Sequence, residues 1–96
     1  MLFGRVKGSA ICTLKYPGTE GLKLLVVQPL NKKLEPLGAL QVAADVVDAG
    51  IGDLVLTAAG SSARQTNITK DTPVDSVIMS IIDSLEVDGQ VVFRKS

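Results

Sequence analysis

The stretch TPVDSVIMSIIDSLEV, residues 72–87, decides the fold, because local rules pull it in two directions. Thr72 followed by Pro73 makes a good helix N-cap and first turn. Val74, Val77, Ile78, Ile81, Ile82 and Leu85 then fall at helical spacing, which predicts a helix over residues 73–86. Against it, the segment is rich in Val, Ile and Ser, all poor helix formers. Met79, Ile81, Leu85 and Val87 also alternate as a strand would, with Asp83 as the exception. Periodicity alone leaves both readings standing.

Upstream the pattern is less divided, and no stretch before residue 60 reads as helical. LFGRVKGSAICTLK, residues 2–15, predicts one long bent strand whose Gly4 and Gly8 mark a bulge or a tight coil. YPGTEG, residues 16–21, is dense in turn formers, and LKLLVVQPL, residues 22–30, predicts a well-buried partner strand of a hairpin. A polar connection with Pro36 and Gly38 leads to LQVAADVV, residues 40–47, with Leu40, Val42 and Ala44 on one face. The glycine-rich DAGIGD turn, residues 48–53, leads into a fourth strand, DLVLTAAG. Downstream, a turn at Gly89 and Gln90 leads to a short terminal strand at Val91, Val92 and Phe93. Strands every ten to twelve residues with turn signals between them point to a small antiparallel barrel or sandwich in one domain over residues 1–96.

A chain of 96 residues buries only roughly 60–65% of the surface its unfolded form exposes. Yet 46% of its residues are apolar and its mean hydropathy is +0.33, more than a lone domain of this size comfortably hides, so part of that surface is expected to meet another chain. No apolar stretch nears the ~18–20 residues of a membrane span. Arg5 and Lys7 interrupt the N-terminal region before any signal-peptide core, so neither membrane nor export is expected. The single Cys12 allows no internal disulfide, and the absence of His rules out a zinc site of the usual Cys/His kind within one chain. It also removes the commonest general base near neutral pH.

Ten basic and ten acidic residues cancel, but unevenly along the chain. Residues 1–40 hold six basic and two acidic side chains, a balance of +4, whereas residues 41–96 hold four basic and eight acidic ones, a balance of −4. Such asymmetry is settled within one fold or helps one subunit recognise another through complementary patches. Zero net charge and three aromatics, Phe3, Tyr16 and Phe93, argue against a nucleic-acid binder, which wants a basic groove and stacking faces.

Two loops carry the motifs. The Gly50-Ile51-Gly52 core of the DAGIGD turn lacks the third glycine of a dinucleotide fingerprint, and the segment after it reads as a strand instead of a helix. Asp48 and Asp53 bracket those glycines but are too few for calcium, which takes six to eight oxygens. A plain turn built on Asp48, Gly50, Gly52 and Asp53 is the expectation. No spacing pairs Asp45, Asp75 and Asp83 as catalytic acids. The second loop, Gly60, Ser61, Ser62, Ala63 and Arg64, lacks the second glycine of a nucleophile elbow and any histidine to activate a serine. Its compact side chains suit close backbone approach, its hydroxyls suit a polar opening, and Arg64 offers a forked donor to a neighbour.

In order and spacing these motifs resemble the EutN/CcmL family of bacterial microcompartment vertex proteins nearly end to end. The resemblance rests on GRVKG (4–8), K-x-P (15–17), KLLVVQP (23–29), AxDxVxAGxGDLVL (43–56), GSSAR (60–64) and PVDxxIxxIIDSLEV (73–87). It implies an all-β domain: a small five-stranded OB-like β-barrel with one short helical turn over residues 73–77, then strand five and a C-terminal strand. It further implies a homopentamer without catalytic activity or cofactor, plugging the corners of an icosahedral shell in the bacterial cytoplasm among hexameric and trimeric shell proteins. Gly60 to Arg64 would sit near the five-fold axis, Ser61 and Ser62 lining a narrow pore and Arg64 bracing a neighbour. Asp48 departs from the small residue, often glycine, that the family carries there; Asp tolerates a left-handed backbone better than most residues, so the turn can survive. The tail from Val91 to Lys95 is expected to add a strand at a neighbouring edge. The competing reading is an OB-like binding module for a small ligand or single-stranded nucleic acid.

Overall fold

The computed structural model describes residues 1–11, 23–59 and 76–95. Five strands close into a barrel: β1 (Leu2–Ala10), β2 (Lys23–Leu30), β3 (Gln41–Asp45), β4 (Leu54–Ala59) and β5 (Ser76–Ile81), in the order β1-β2-β3-β5-β4. β4 returns to pair with β1, placing Leu2 opposite Thr57 and Arg5 opposite Leu54. All contacts are antiparallel except β3 with β5, where Ala43 pairs with Ser76 in parallel register. This is the OB-like arrangement, and closure removes the free edges that an open sheet of this size would expose.

Residues 72–87 resolve in favour of strands from Ser76 onward. Ser76, Val77 and Ile78 are all buried, because this end of β5 is clasped between β3 and β4 and covered on both faces. A run that is apolar on both faces satisfies helical and strand spacing alike, which is why a helix over residues 73–86 reads so well locally. Of the helical turn at 73–77, residues 73–75 lie outside the described residues, and Ser76 and Val77 are already extended. Asp83, the exception in the alternation, marks a real break. β5 stops at Ile81, the Ile82 amide donates to the Leu54 carbonyl (2.8 Å), and a new strand β6 (Ser84–Val87) begins.

β6 pairs with β7 (Gln90–Arg94) in a two-stranded hairpin of its own. Its turn is Asp88-Gly89, with φ of 52° and 78° and Val87 paired to Gln90. Two consecutive positive φ values in a two-residue loop are the signature of a type I′ turn, and Asp-Gly is one of the few pairs that take it cheaply.

The barrel interior is filled by Val6, Leu25, Val27, Ala43, Ala49, Val55 and Ile78, with Val47 and Ile81 packed against them. Fully burying one such Val or Ile side chain contributes about 1.5–3 kcal/mol. Gly4 earns its place by packing: a Cβ there would lie 2.5 Å from Val27 Cγ1. The register shift of β1 falls between Val6 and Gly8, so only the second of its two glycines sits at an irregularity. On β3, Val42 and Ala44 share a side, but it is the outer one, and Leu40 precedes the strand. Ala44 packs there with Val77, Leu24 and Val46, while Leu40 and Val42 remain exposed.

Candidate assembly surface

Asp45, at the end of β3, organises the DAGIGD turn. Its buried carboxylate accepts the Val47 amide at 3.1 Å and the Ala49 amide at 2.8 Å, folding the chain back on itself. Asp48 then takes φ +61°, the left-handed conformation that a short polar side chain tolerates, so the turn accommodates the departure from glycine. The Asp53 amide donates back to the Gly50 carbonyl (3.0 Å), with Gly52 at φ +92° supplying the positive φ that the third residue of such a turn requires. Asp53 Oδ2 accepts the Gly50 amide (2.8 Å), and paired bonds between Val6 and residues 52 and 53 tie the loop to β1.

Lys23 locks the turn from β2. Its Nζ donates to Asp48 Oδ1 at 2.9 Å and to the Ala49 carbonyl at 3.1 Å, and lies 3.2 Å from Asp45 Oδ2, so its three protons meet three acceptors. The Asp48 and Asp45 carboxylates, in that order, hold the Lys23 ammonium above its ordinary range, and Lys23 in turn holds Asp48 below the usual carboxylate range. The carboxylates of Asp48 and Asp53 are thus directed at Lys23 and the Gly50 amide, which makes this loop a structural turn followed by strand β4. Asp45 and Asp83 are not brought together, and Asp75 lies outside the described residues.

The loop Gly60, Ser61, Ser62, Ala63 and Arg64 also lies outside the described residues. On either side of it, Ala59 at the end of β4 pairs with Ser76 at the start of β5.

The surface around these elements carries apolar side chains in patches. At one end of β1 a groove of about 280 Å³ is lined by Leu2, Phe3, Leu30, Leu37 and Leu56, with Met1, Asn31 and Lys32 at its margin. Asn31 builds that margin: its Oδ1 accepts the Lys33 and Glu35 amides (2.8 and 3.0 Å), and Leu34 turns the chain with φ +63°. On the hairpin, Val87, Val91 and Val92 are 42–47% exposed. The hairpin's root is fixed to the barrel. The Arg5 guanidinium lies 5.6 Å from the Phe93 ring centroid while Nη1 donates to the Gly52 carbonyl (3.0 Å), and Lys95 Nζ stands 3.7 Å from Asp53 Oδ1. The sequence signals a turn at Gly89 and Gln90 and a terminal strand over 91–93; the turn lies one residue earlier, at Asp88-Gly89, and within the chain the strand pairs with β6, while the lysines at the groove carry no sequence signal. The Asp-Gly dipeptide between LEV and QVV was the available signal for the hairpin.

Comparison with known proteins places this architecture. Residues 1–83 match the family model described as ethanolamine utilisation protein EutN/carboxysome. The carboxysome shell vertex protein CcmL of Gloeobacter violaceus is 39% identical over 95 residues, covering 99% of this chain and 95% of its own length. Its solved structure superposes with a TM-score of 0.91 over 99% of this chain and 98% of that one. The bacterial microcompartment shell vertex protein EutN of Escherichia coli K12 is 39% identical over 90 residues, covering 94% and 95% of the two chains. A solved pentameric microcompartment shell protein, GrpN of Rhodospirillum rubrum, is 40% identical with a TM-score of 0.80, covering 91% of this chain and 99% of its own. On barrel, turn and sequence together, this chain belongs to the EutN/CcmL family.

Proposed function

We propose that this chain is a non-catalytic shell protein whose five copies form a ring that closes a vertex of a bacterial microcompartment in the cytoplasm, flanked by hexameric and trimeric shell proteins. The observation that carries this reading is the near full-length likeness to vertex proteins, one of them solved as a pentamer. The physical argument agrees with it. A barrel this small leaves Leu37, Leu40, Val42, Val91 and Val92 exposed, and a ring of identical subunits covers such surface on both flanks of every copy. A flat layer of hexagonal tiles closes only by admitting five-fold corners, which a head-to-tail ring supplies when its rotation closes at five.

In this reading Gly60 to Arg64 converge at the five-fold axis, where only compact side chains fit, with Ser61 and Ser62 lining the opening and Arg64 donating to the neighbouring subunit. The test is native mass spectrometry of the purified chain. A species of five times the monomer mass is expected, and Ser62→Leu is expected to disrupt that species or block its pore in a crystal structure. A well-behaved monomer at high concentration would refute the reading.

A further inference from the structure

The groove at the start of β1 and the tip of the β6–β7 hairpin are chemically matched. The groove is apolar, Lys32 lines it and Lys33 is exposed next to it in the chain, against one acid, Glu35, whose carboxylate accepts from Asn31 Nδ2 at 3.2 Å; neither lysine has an ion-pair partner among the described residues. The hairpin tip exposes Val87, Val91 and Val92 and carries two exposed acids, Glu86 and Asp88, likewise without an ion pair among the described residues. Among the described residues no hairpin residue lines the groove of its own chain; Phe93 and Lys95 anchor the hairpin's root on Arg5 and Asp53 instead. A two-stranded hairpin is marginal in water by itself, and its register puts exposed Val91 on the same face as Glu86 and Val87 on the opposite face, so the Val91 face offers an apolar contact with an acid beside it.

We propose that the β6–β7 tip of one copy docks in the groove of the next copy, Val91 against Leu2, Leu30 and Leu37, with Glu86, which shares the Val91 face, and Asp88 at the turn facing Lys32 and Lys33. This deepens the pentamer reading and rests on it. The two patches differ and lie on one chain, so the contact is heterologous: every copy offers a tip and a groove, and repetition generates a ring. Apolar burial supplies the affinity, and the charged margins set register and choice of partner. The opposite charge balances of residues 1–40 and 41–96 thereby gain a role, since Lys32 and Lys33 come from the first and Glu86 and Asp88 from the second.

The test is a charge exchange in the full chain, read by native mass spectrometry and light scattering at one ionic strength. Lys32→Glu with Lys33→Glu, and separately Glu86→Lys with Asp88→Lys, should each raise the concentration for half-dissociation of the pentamer at least about tenfold. All four together should bring it back to within a few-fold of the parent. A control joins the hairpin pair to Lys7→Glu and Arg94→Glu, which also restores net charge, and should not recover assembly. If both half-exchanges assemble like the parent, or the control rescues as well as the fourfold variant, the docking is wrong while the pentamer stands. If the parent itself is monomeric, the proposed function fails first. Should a charge variant misfold by circular dichroism, Leu37→Cys with Val91→Cys in a Cys12→Ser background replaces it. Oxidation should yield a covalent ladder up to five chains, and monomer alone would overturn the docking.

Discussion

Gly4 is the residue at which the barrel has the least room. An added methyl would meet Val27 Cγ1 at 2.5 Å, and Val27 is itself buried and β-branched, with little freedom to turn aside. Gly4→Ala is therefore expected to destabilise by about 1–3 kcal/mol, against the gain that Ala usually brings over Gly within a strand. Urea unfolding at fixed protomer concentration would show it as a lower midpoint with an unchanged slope. The Lys23–Asp48 pair makes a prediction in pH. The folded state lowers the Asp48 pKa, so the pair's stabilisation is fully present above the ordinary carboxylate value of about 3.9 and is lost as pH falls through the lowered folded value. The folded state raises the Lys23 pKa, so the same contribution persists up to about pH 10.4 and is lost as pH rises through the raised value. Asp48→Asn should thus unfold at a lower urea concentration than the parent by a near-constant margin between about pH 5 and 9. That margin should close toward pH 2. Both groups face solvent, so it should also shrink in high salt. A margin that widened in acid would contradict the assignment.

The elements were legible to different degrees, and each success or failure has a local cause. The antiparallel pairing of β1 with β2 and the fourth strand, Leu54–Ala59, followed from clear strand runs bounded by turn residues. The third strand's alternation was visible but its side was not, because Leu40, Val42 and Ala44 form an apolar row that sequence cannot assign to inside or outside. The β5 segment misled local rules since burial on both faces erases the difference between helical and strand spacing. The DAGIGD turn was legible as a turn, but its lock by Lys23, some 25 residues away, was not. The hairpin that follows Asp83 depends on Asp88-Gly89, and there the fold makes a sharp prediction. Gly89→Val places a β-branched side chain at φ +78°, a conformation that costs about 1–2 kcal/mol for a residue with a Cβ. It should loosen β6 and β7 while the barrel stays folded. Faster amide exchange at the paired positions Glu86 and Val91, with β1 to β5 unchanged, is the expected result. Uniform loss of protection across the barrel would show that the hairpin is integral to it.

For the whole molecule, the decisive balance is between a small sealed core and a large apolar exterior. The described strands close into a barrel around a buried cluster that includes Val6, Val27, Val55 and Ile78, so the fold has an internal reason to exist as a monomer. Its outside nevertheless keeps Leu37 and Leu40 about half exposed, together with the three valines of the hairpin, more apolar surface than solubility alone would favour. Burying that surface between copies couples folding to association, since whatever binds the native state and not the unfolded chain stabilises by mass action. The thermal midpoint should therefore rise with protomer concentration, by several degrees over a hundredfold range, until the ring is saturated. Val91→Asp should weaken that dependence by placing a charge in the patch proposed to be covered, while leaving the low-concentration midpoint close to the parent's. Differential scanning calorimetry across dilutions measures both quantities on the same samples. A midpoint indifferent to concentration, from micromolar upward, would mean that the exterior stays wet and that each barrel stands alone.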